Sequence, residues 1–222
     1  MKKNRQFLSV TVILCCVAMT LIDGFWKPDY WLKSLLKVIL FLSVPLIFSF
    51  LTKLSPGSVF KPDKKSFVLG GLLGGATFVI ILAGYFVIKE FVDFSFIPGA
   101  IMENGSITSD NFVYIALYIA LCNSMLEEYF FRGFAFLTLK KIASPAYAYL
   151  LSAGAFAVYH AGMLDGWFSA GLYLLTLAAL FGCGLFFNFL NHRQGKLWVS
   201  WLVHMSANVA INIIGMILLG IL

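Results

Sequence analysis

Six residues in this chain carry reactive chemistry into apolar surroundings: Glu127, Glu128, Arg132, His160, His204 and Asn208. Glu127 and Glu128 close an apolar run that opens at Phe112 and reads Phe-Val-Tyr-Ile-Ala-Leu-Tyr-Ile-Ala-Leu. A buried charge in such a run costs roughly 2.5–3.5 kcal/mol on insertion scales, so each carboxylate needs a partner. Glu128 and Arg132 stand four apart and pair along one helix face, a structural ion pair. Neighbouring helical residues diverge by about 100°, so Glu127 points elsewhere and has no local partner. His160 ends the stretch Phe156-Ala157-Val158-Tyr159-His160, and His204 and Asn208 fall four apart in the last apolar run.

A glutamate and a histidine brought together suit water activation, one as general base and the other orienting the water or sharing its proton. A histidine and an asparagine on one helix face suit donation to a developing oxyanion. Alternatively Glu127, His160 and His204 can hold a zinc ion, leaving a fourth position for water. Peptide hydrolysis fits both versions. Taken singly, each residue has a plainer reading, since an intramembrane histidine is often a hydrogen-bonded core residue. Convergence of four at one depth is what favours catalysis.

Convergence requires helices of the right length and direction, and the composition supplies them. Hydrophobic residues make up 61% of the chain and charged residues 12%, against about 25% charged in soluble domains. The class is therefore an all-α, polytopic integral membrane protein. Seven apolar segments of near-spanning length are expected, at about 7–22, 32–51, 66–89, 112–139, 145–161, 167–190 and 197–221. Basic residues divide twelve to four between alternate sides when the N-terminus is inside, which predicts a cytoplasmic N-terminus. Most acids outside the spans, Asp165 and those near Asn104 and Gly105 included, fall on the opposite face. The net charge of +6 thus reads as topology rather than nucleic-acid binding. Cys15, Cys16, Cys122 and Cys183 all lie in apolar runs and are expected as small core residues. The basic N-terminus and first run lack a small-residue cleavage site, so a retained span is expected.

Depth can be counted. Segments four and five, joined near Lys141–Ser144, should form an antiparallel hairpin. Glu127 lies thirteen residues before Lys140, or ~20 Å, and His160 fifteen residues after Pro145, or ~22 Å. His204 lies ~12 Å past Lys196 and joins that layer if the hairpin protrudes into the cytoplasm. Segment three contains Gly70, Gly71, Gly74 and Gly75, two small-xxx-small pairs for which packing within the chain is preferred over dimerisation. Pro45 predicts a kink in segment two.

The pattern Glu127-Glu128-x-x-x-Arg132, then Phe156-x-x-x-His160, then His204-x-x-x-Asn208 resembles the three motifs of the CAAX-protease and bacteriocin-processing (CPBP, or Abi) intramembrane proteases. The approach Lys196-Leu197-Trp198 to His204 is similar as well. Each motif alone is weak, and three in order on polytopic helices are fairly specific. The resemblance covers about residues 112–212, the expected catalytic core of a single membrane domain, 1–222. It implies an all-helical membrane endopeptidase, a hydrolase whose eukaryotic relatives trim prenylated CAAX proteins. It assigns water activation to Glu127 and His160 and the oxyanion hole to His204 and Asn208. It leaves open whether a Zn²⁺ ion takes part. Seven segments rather than the eight of the eukaryotic enzyme look more like a bacterial plasma-membrane member. Such members are associated with bacteriocin maturation, self-immunity or peptide signalling. The implied partners are a peptide or membrane-protein substrate and the lipid bilayer, with no nucleic acid.

Two other classes compete. A proton-coupled transporter would use Glu127 and the histidines as a relay, but the chain lacks paired broken helices in corresponding halves. A non-catalytic immunity or scaffold protein would carry the site as a remnant.

Overall fold

The computed structural model describes residues 2–61, 63–103, 106–164, 166 and 168–222. Asn104, Gly105 and Asp165, which the topology reading used, lie outside the described residues. Among the described residues the fold is helical, with no strands. Eight helices follow in order: α1 Lys2–Trp26, α2 Tyr30–Thr52, α3 Lys64–Ile88, α4 Ile97–Met102, α5 over residues 112–138, α6 Pro145–Ala161, α7 Ala170–Gln194 and α8 Trp198–Leu218. Five of them, α1, α2, α3, α7 and α8, are long and apolar enough to cross a membrane. The expected count of seven is therefore not reached by this measure. α6 is 17 residues long, and α5 dilutes its apolar run with Asn123, Glu127, Glu128 and Arg132.

Local sequence explains the helix ends. Asp29 caps α2 by accepting from the Trp31 and Leu32 amides at 3.0 and 3.1 Å. Ser144 caps α6 in front of Pro145, whose missing N–H falls where no intrahelical bond is needed. Gly195 closes α7 in the left-handed conformation, φ 65°. Pro45 does not break α2. A π-type turn at Ile39–Ser43 precedes it, and this local rewinding accommodates the carbonyl that proline cannot bond.

The chain gathers into two compact units. The first holds residues 1–61 and 126–197, the second 62–125 and 198–222.

In the first unit, α1, α2, α6 and α7 pack with the second half of α5. That half, Glu128–Thr138, winds with π-type turns, and all eleven of its residues are buried. Aromatic rings fill the space around it. Phe41 of α2 stacks on Phe130 at 4.1 Å and meets Phe131 edge-on at 5.4 Å, while Phe48 meets Phe134 at 5.2 Å. Ser152 of α6 donates to the Phe131 carbonyl at 2.8 Å, which satisfies a main-chain group inside the core. α6 and α7 approach closely at Gly184, where an added Cβ would lie 2.9 Å from the Ala153 Cα.

In the second unit, α3 packs along α8. Gly70 and Gly74 make this possible: an added Cβ at Gly70 would lie 3.2 Å from the Val199 Cα, and one at Gly74 3.0 Å from the Leu202 carbonyl. Gly71 and Gly75 have nothing within 4 Å of that position. The small-residue stripe therefore splits, one pair packing within the chain and the other facing outward. Cys15 and Cys16 are buried as expected, but Cys122 and Cys183 are exposed, on outward faces. An apolar run in a membrane protein has a lipid-facing side as well as a core side.

Candidate active site

Glu127 ends the α-helical turn Ser124–Glu127, just before the π-type stretch begins. Its side chain is 2% exposed. Two groups from other helices of the first unit reach it. The Lys37 ammonium of α2 lies 3.3 Å from Glu127 Oε1, and the Tyr159 hydroxyl of α6 donates to the same oxygen at 3.1 Å. Lys37 also sits 5.0 Å above the Tyr159 ring, and Phe41, one turn on from Lys37, meets that ring at 5.2 Å. Lysine, tyrosine and glutamate thus form a closed triangle braced by phenylalanine.

Lys37 and Tyr159 are the residues that sequence reasoning missed. In the twelve-to-four division of basic residues Lys37 is one of the four outer charges. Its signal was present: a lysine inside an apolar segment needs a buried partner as much as a glutamate does. Lys37 stands fifteen residues before Thr52 and His160 fifteen after Pro145, each ~22 Å along its helix. Tyr159 adjoins His160, so the motif delivered a hydrogen-bond donor to Glu127 one residue from the expected place.

His160 is half-buried, and its Nδ1 lies 2.7 Å from the Phe156 carbonyl of its own helix. A carbonyl only accepts, so Nδ1 carries the hydrogen, and Nε2 is the basic nitrogen of the neutral ring. Phe156 and Tyr159 pack their rings edge-on against the imidazole, each at 4.6 Å. The ring is therefore oriented by a main-chain bond and two aromatic walls.

Glu128 and Arg132 form the expected pair, Oε1 to Nη1 at 3.4 Å, with side-chain exposures of 0% and 1%. Arg132 has more around it than the glutamate. Its guanidinium lies 4.1 Å from the centre of the Phe156 ring and 4.7 Å from that of Phe187. Aromatic faces attract a desolvated cation by about 2 kcal/mol or more. Phe156 thereby links two motifs, facing Arg132 with its ring and His160 with its carbonyl.

His204 and Asn208 belong to the second unit, on α8. His204 is 7% exposed. Asn208 Nδ2 donates to the Ile119 carbonyl at 3.3 Å. On the same face Trp201 Nε1 donates to Ser124 Oγ at 3.0 Å, and Asn212 Nδ2 to the Ala116 carbonyl at 3.1 Å. These contacts run in opposite order along α8 and the first half of α5, as antiparallel helices require. They centre on a π-type turn at Ile119–Asn123. The structure thus brings Glu127 to the His160 motif in one unit and fixes His204 and Asn208 on α8 in the other.

Among the described residues, no three His, Cys, Asp or Glu side chains group as a metal ion would require. A dication at Glu127 would also meet the Lys37 ammonium. The surroundings of Glu127 pair its carboxylate with an organic cation.

Comparison with known proteins adds one finding. Residues 109–210 match the family model of the Type II CAAX prenyl endopeptidase, Rce1-like. The similarity is confined to this segment, a little under half of the chain. The match is consistent with the CPBP resemblance that the three motifs carry, and it encloses all of Glu127, His160, His204 and Asn208. No curated protein and no solved structure matches the chain. The Rce1-like segment together with five long apolar helices makes this an integral membrane protein.

Proposed function

We propose that the chain is an intramembrane endopeptidase of CAAX-protease type, acting on a peptide or membrane-anchored protein through a water activated by Glu127 and His160. The observation that carries this reading is a buried carboxylate, Glu127, held beside the His160 motif within a segment that matches an endopeptidase family. Residues 112–212 form its catalytic core, in a single membrane domain with a cytoplasmic N-terminus.

In the proposed reaction Glu127 takes a proton from water while the water oxygen bonds to the scissile carbonyl carbon. Basic Nε2 of His160 orients that water. The carbonyl π pair moves to oxygen, and His204 and Asn208 donate to the oxyanion. When the oxyanion collapses, the C–N bond breaks and the proton held by Glu127 passes to the departing amine. No metal is needed, which is the version that the Lys37 charge beside Glu127 favours. Bacteriocin maturation and CAAX-type trimming both supply substrates of this chemistry.

The test is cleavage of prenylated C-terminal peptides and leader-type peptides by the purified protein in liposomes. Untreated protein, protein freed of metal and Glu127→Gln are compared. Cleavage by the first two and none by Glu127→Gln, at an unchanged melting temperature, is expected. Full activity of Glu127→Gln would remove the base. Activity lost with the metal and restored by zinc would replace the metal-free version.

A further inference from the structure

We propose that Lys37 is a positioning residue of the active site: its ammonium, together with the Tyr159 hydroxyl, compensates and aims the Glu127 carboxylate that activates water. The inference rests on the endopeptidase reading. Lys37 itself, though, stands outside the three motifs and outside residues 109–210, since it lies on α2.

The grounds are charge, distance and rigidity. Glu127 is 2% exposed, and an isolated buried carboxylate is expensive enough to neutralise or to pull in a partner. The Arg132 guanidinium is taken by Glu128 at 3.4 Å and by two aromatic faces. Lys37 is in direct contact with Glu127, at 3.3 Å, with a side chain only 12% exposed. Lys33, one turn earlier on α2, is bound to Asp23 at 3.2 Å, so the two lysines serve two separate acids. The Lys37 ammonium also lies 5.0 Å above the Tyr159 ring, which Phe41 packs against. Both Lys37 and Tyr159 address Oε1. Two contacts on one oxygen hold the carboxylate group in place. A base held in this way begins the reaction already aimed, and misplacement of about 1 Å typically costs 10²-fold in rate.

Lys37→Met, Lys37→Arg and Tyr159→Phe are compared with wild type by single-turnover peptide cleavage and by thermal melting in detergent. Lys37→Met should lose about 10²-fold in kcat with KM within about twofold, because the ammonium acts on the base and not on bound substrate. Lys37→Arg should regain at least about tenfold of that loss, since it restores the charge. Tyr159→Phe should lose less than Lys37→Met. A rise in KM with kcat unchanged would make Lys37 a substrate contact and overturn the proposal. Equal loss in the Met and Arg variants would leave only a packing role and overturn it too. The melting temperatures of Lys37→Met, Glu127→Gln and the double variant form a cycle that needs no activity. Coupled effects, the double variant melting no lower than the worse single one, support the pair, and additive effects overturn it. A wild type that cleaves nothing overturns the endopeptidase reading and the catalytic sense of the pairing, while the cycle still decides whether Lys37 holds Glu127.

Discussion

The two units solve the same problem, polar groups inside apolar helices, by different means. The first encloses full charges. Glu127 is closed in by Lys37 and Tyr159, and Glu128 by Arg132, whose guanidinium is walled by Phe156 and Phe187. The second uses neutral donors: Trp201, Asn208 and Asn212 each reach an oxygen on the first half of α5. A neutral amide needs one carbonyl and is then satisfied. A buried charge needs a countercharge in good geometry and close packing around it, or it is strongly destabilising. That explains why every residue of Glu128–Thr138 is buried, whereas α8 reaches its partners with several half-exposed residues. Groups that must stay ionised sit in the closed unit, and groups that need only donate sit in the looser one.

The comparison breaks most visibly at the Glu128–Arg132 pair. Arg132→Gln would remove the countercharge of the buried Glu128 carboxylate and should lower stability by about 3–5 kcal/mol. Glu128→Gln, which strands a guanidinium between two rings that still attract it, should be the milder change. Replacing both residues with Met should recover much of the loss, because an apolar pair of similar volume is tolerated where a lone charge is not. Denaturation in mixed micelles followed by tryptophan fluorescence reads all three. Single variants that each lose less than about 1 kcal/mol, the range of solvated pairs, would mean that water reaches the pair and that the first unit is not closed.

What could be read from the sequence follows the same division. Local relations were legible: Glu128 with Arg132 at four residues, and the four-residue step from His204 to Asn208. One long-range relation was legible too, since counting along a hairpin put Glu127 level with the end of α6. Lys37 was not legible as a partner, because ninety residues separate it from Glu127, and counting depth assigns a layer but no neighbour. Tyr159 was hidden by its own motif: the histidine drew attention, and adjacent residues diverge by about 100°, so only coordinates could say which faced the carboxylate. The π-type winding of α5 was illegible for another reason. It depends on tertiary partners such as Ser152, which take up carbonyls that the altered turn presents.

In the second unit the comparison sharpens at two asparagines one turn apart. Asn208 and Asn212 make near-identical bonds, to the Ile119 and Ala116 carbonyls, but only Asn208 has the proposed oxyanion role. Asn208→Ala should lower single-turnover cleavage by about 10²–10³-fold, the usual effect of removing one such donor. KM should change little. Asn208→Asp should be slower still, because a carboxylate repels the developing charge. Asn212→Ala loses a similar structural bond and should cost about 1 kcal/mol of stability with kcat nearly unchanged. Equal rates for the two alanine variants would make Asn208 a packing residue like its neighbour.

The smallest expected effects lie on α3, where one helix offers a packed and an open face. Gly70 and Gly74 meet α8, and a methyl at Gly74 would come within 3.0 Å of a main-chain oxygen and 2.6 Å of Ser206 Oγ. The serine hydroxyl can rotate away, but the Leu202 carbonyl is held in the α8 backbone and cannot. Gly74→Ala should therefore push α3 off α8 and cost about 1–3 kcal/mol, the ordinary range for overpacking. Gly71→Ala adds the same methyl to the same helix with nothing within 4 Å, so its melting temperature should match wild type or exceed it by the better helix propensity of alanine. The pair isolates close packing from helix propensity, since both substitutions change propensity alike. A Gly71→Ala protein that melts as low as Gly74→Ala would show that something covers the outward face in the membrane. Cross-linking of the variant and wild type would then ask whether the cover is a second copy of this chain, the assembly that small residues spaced at four also support.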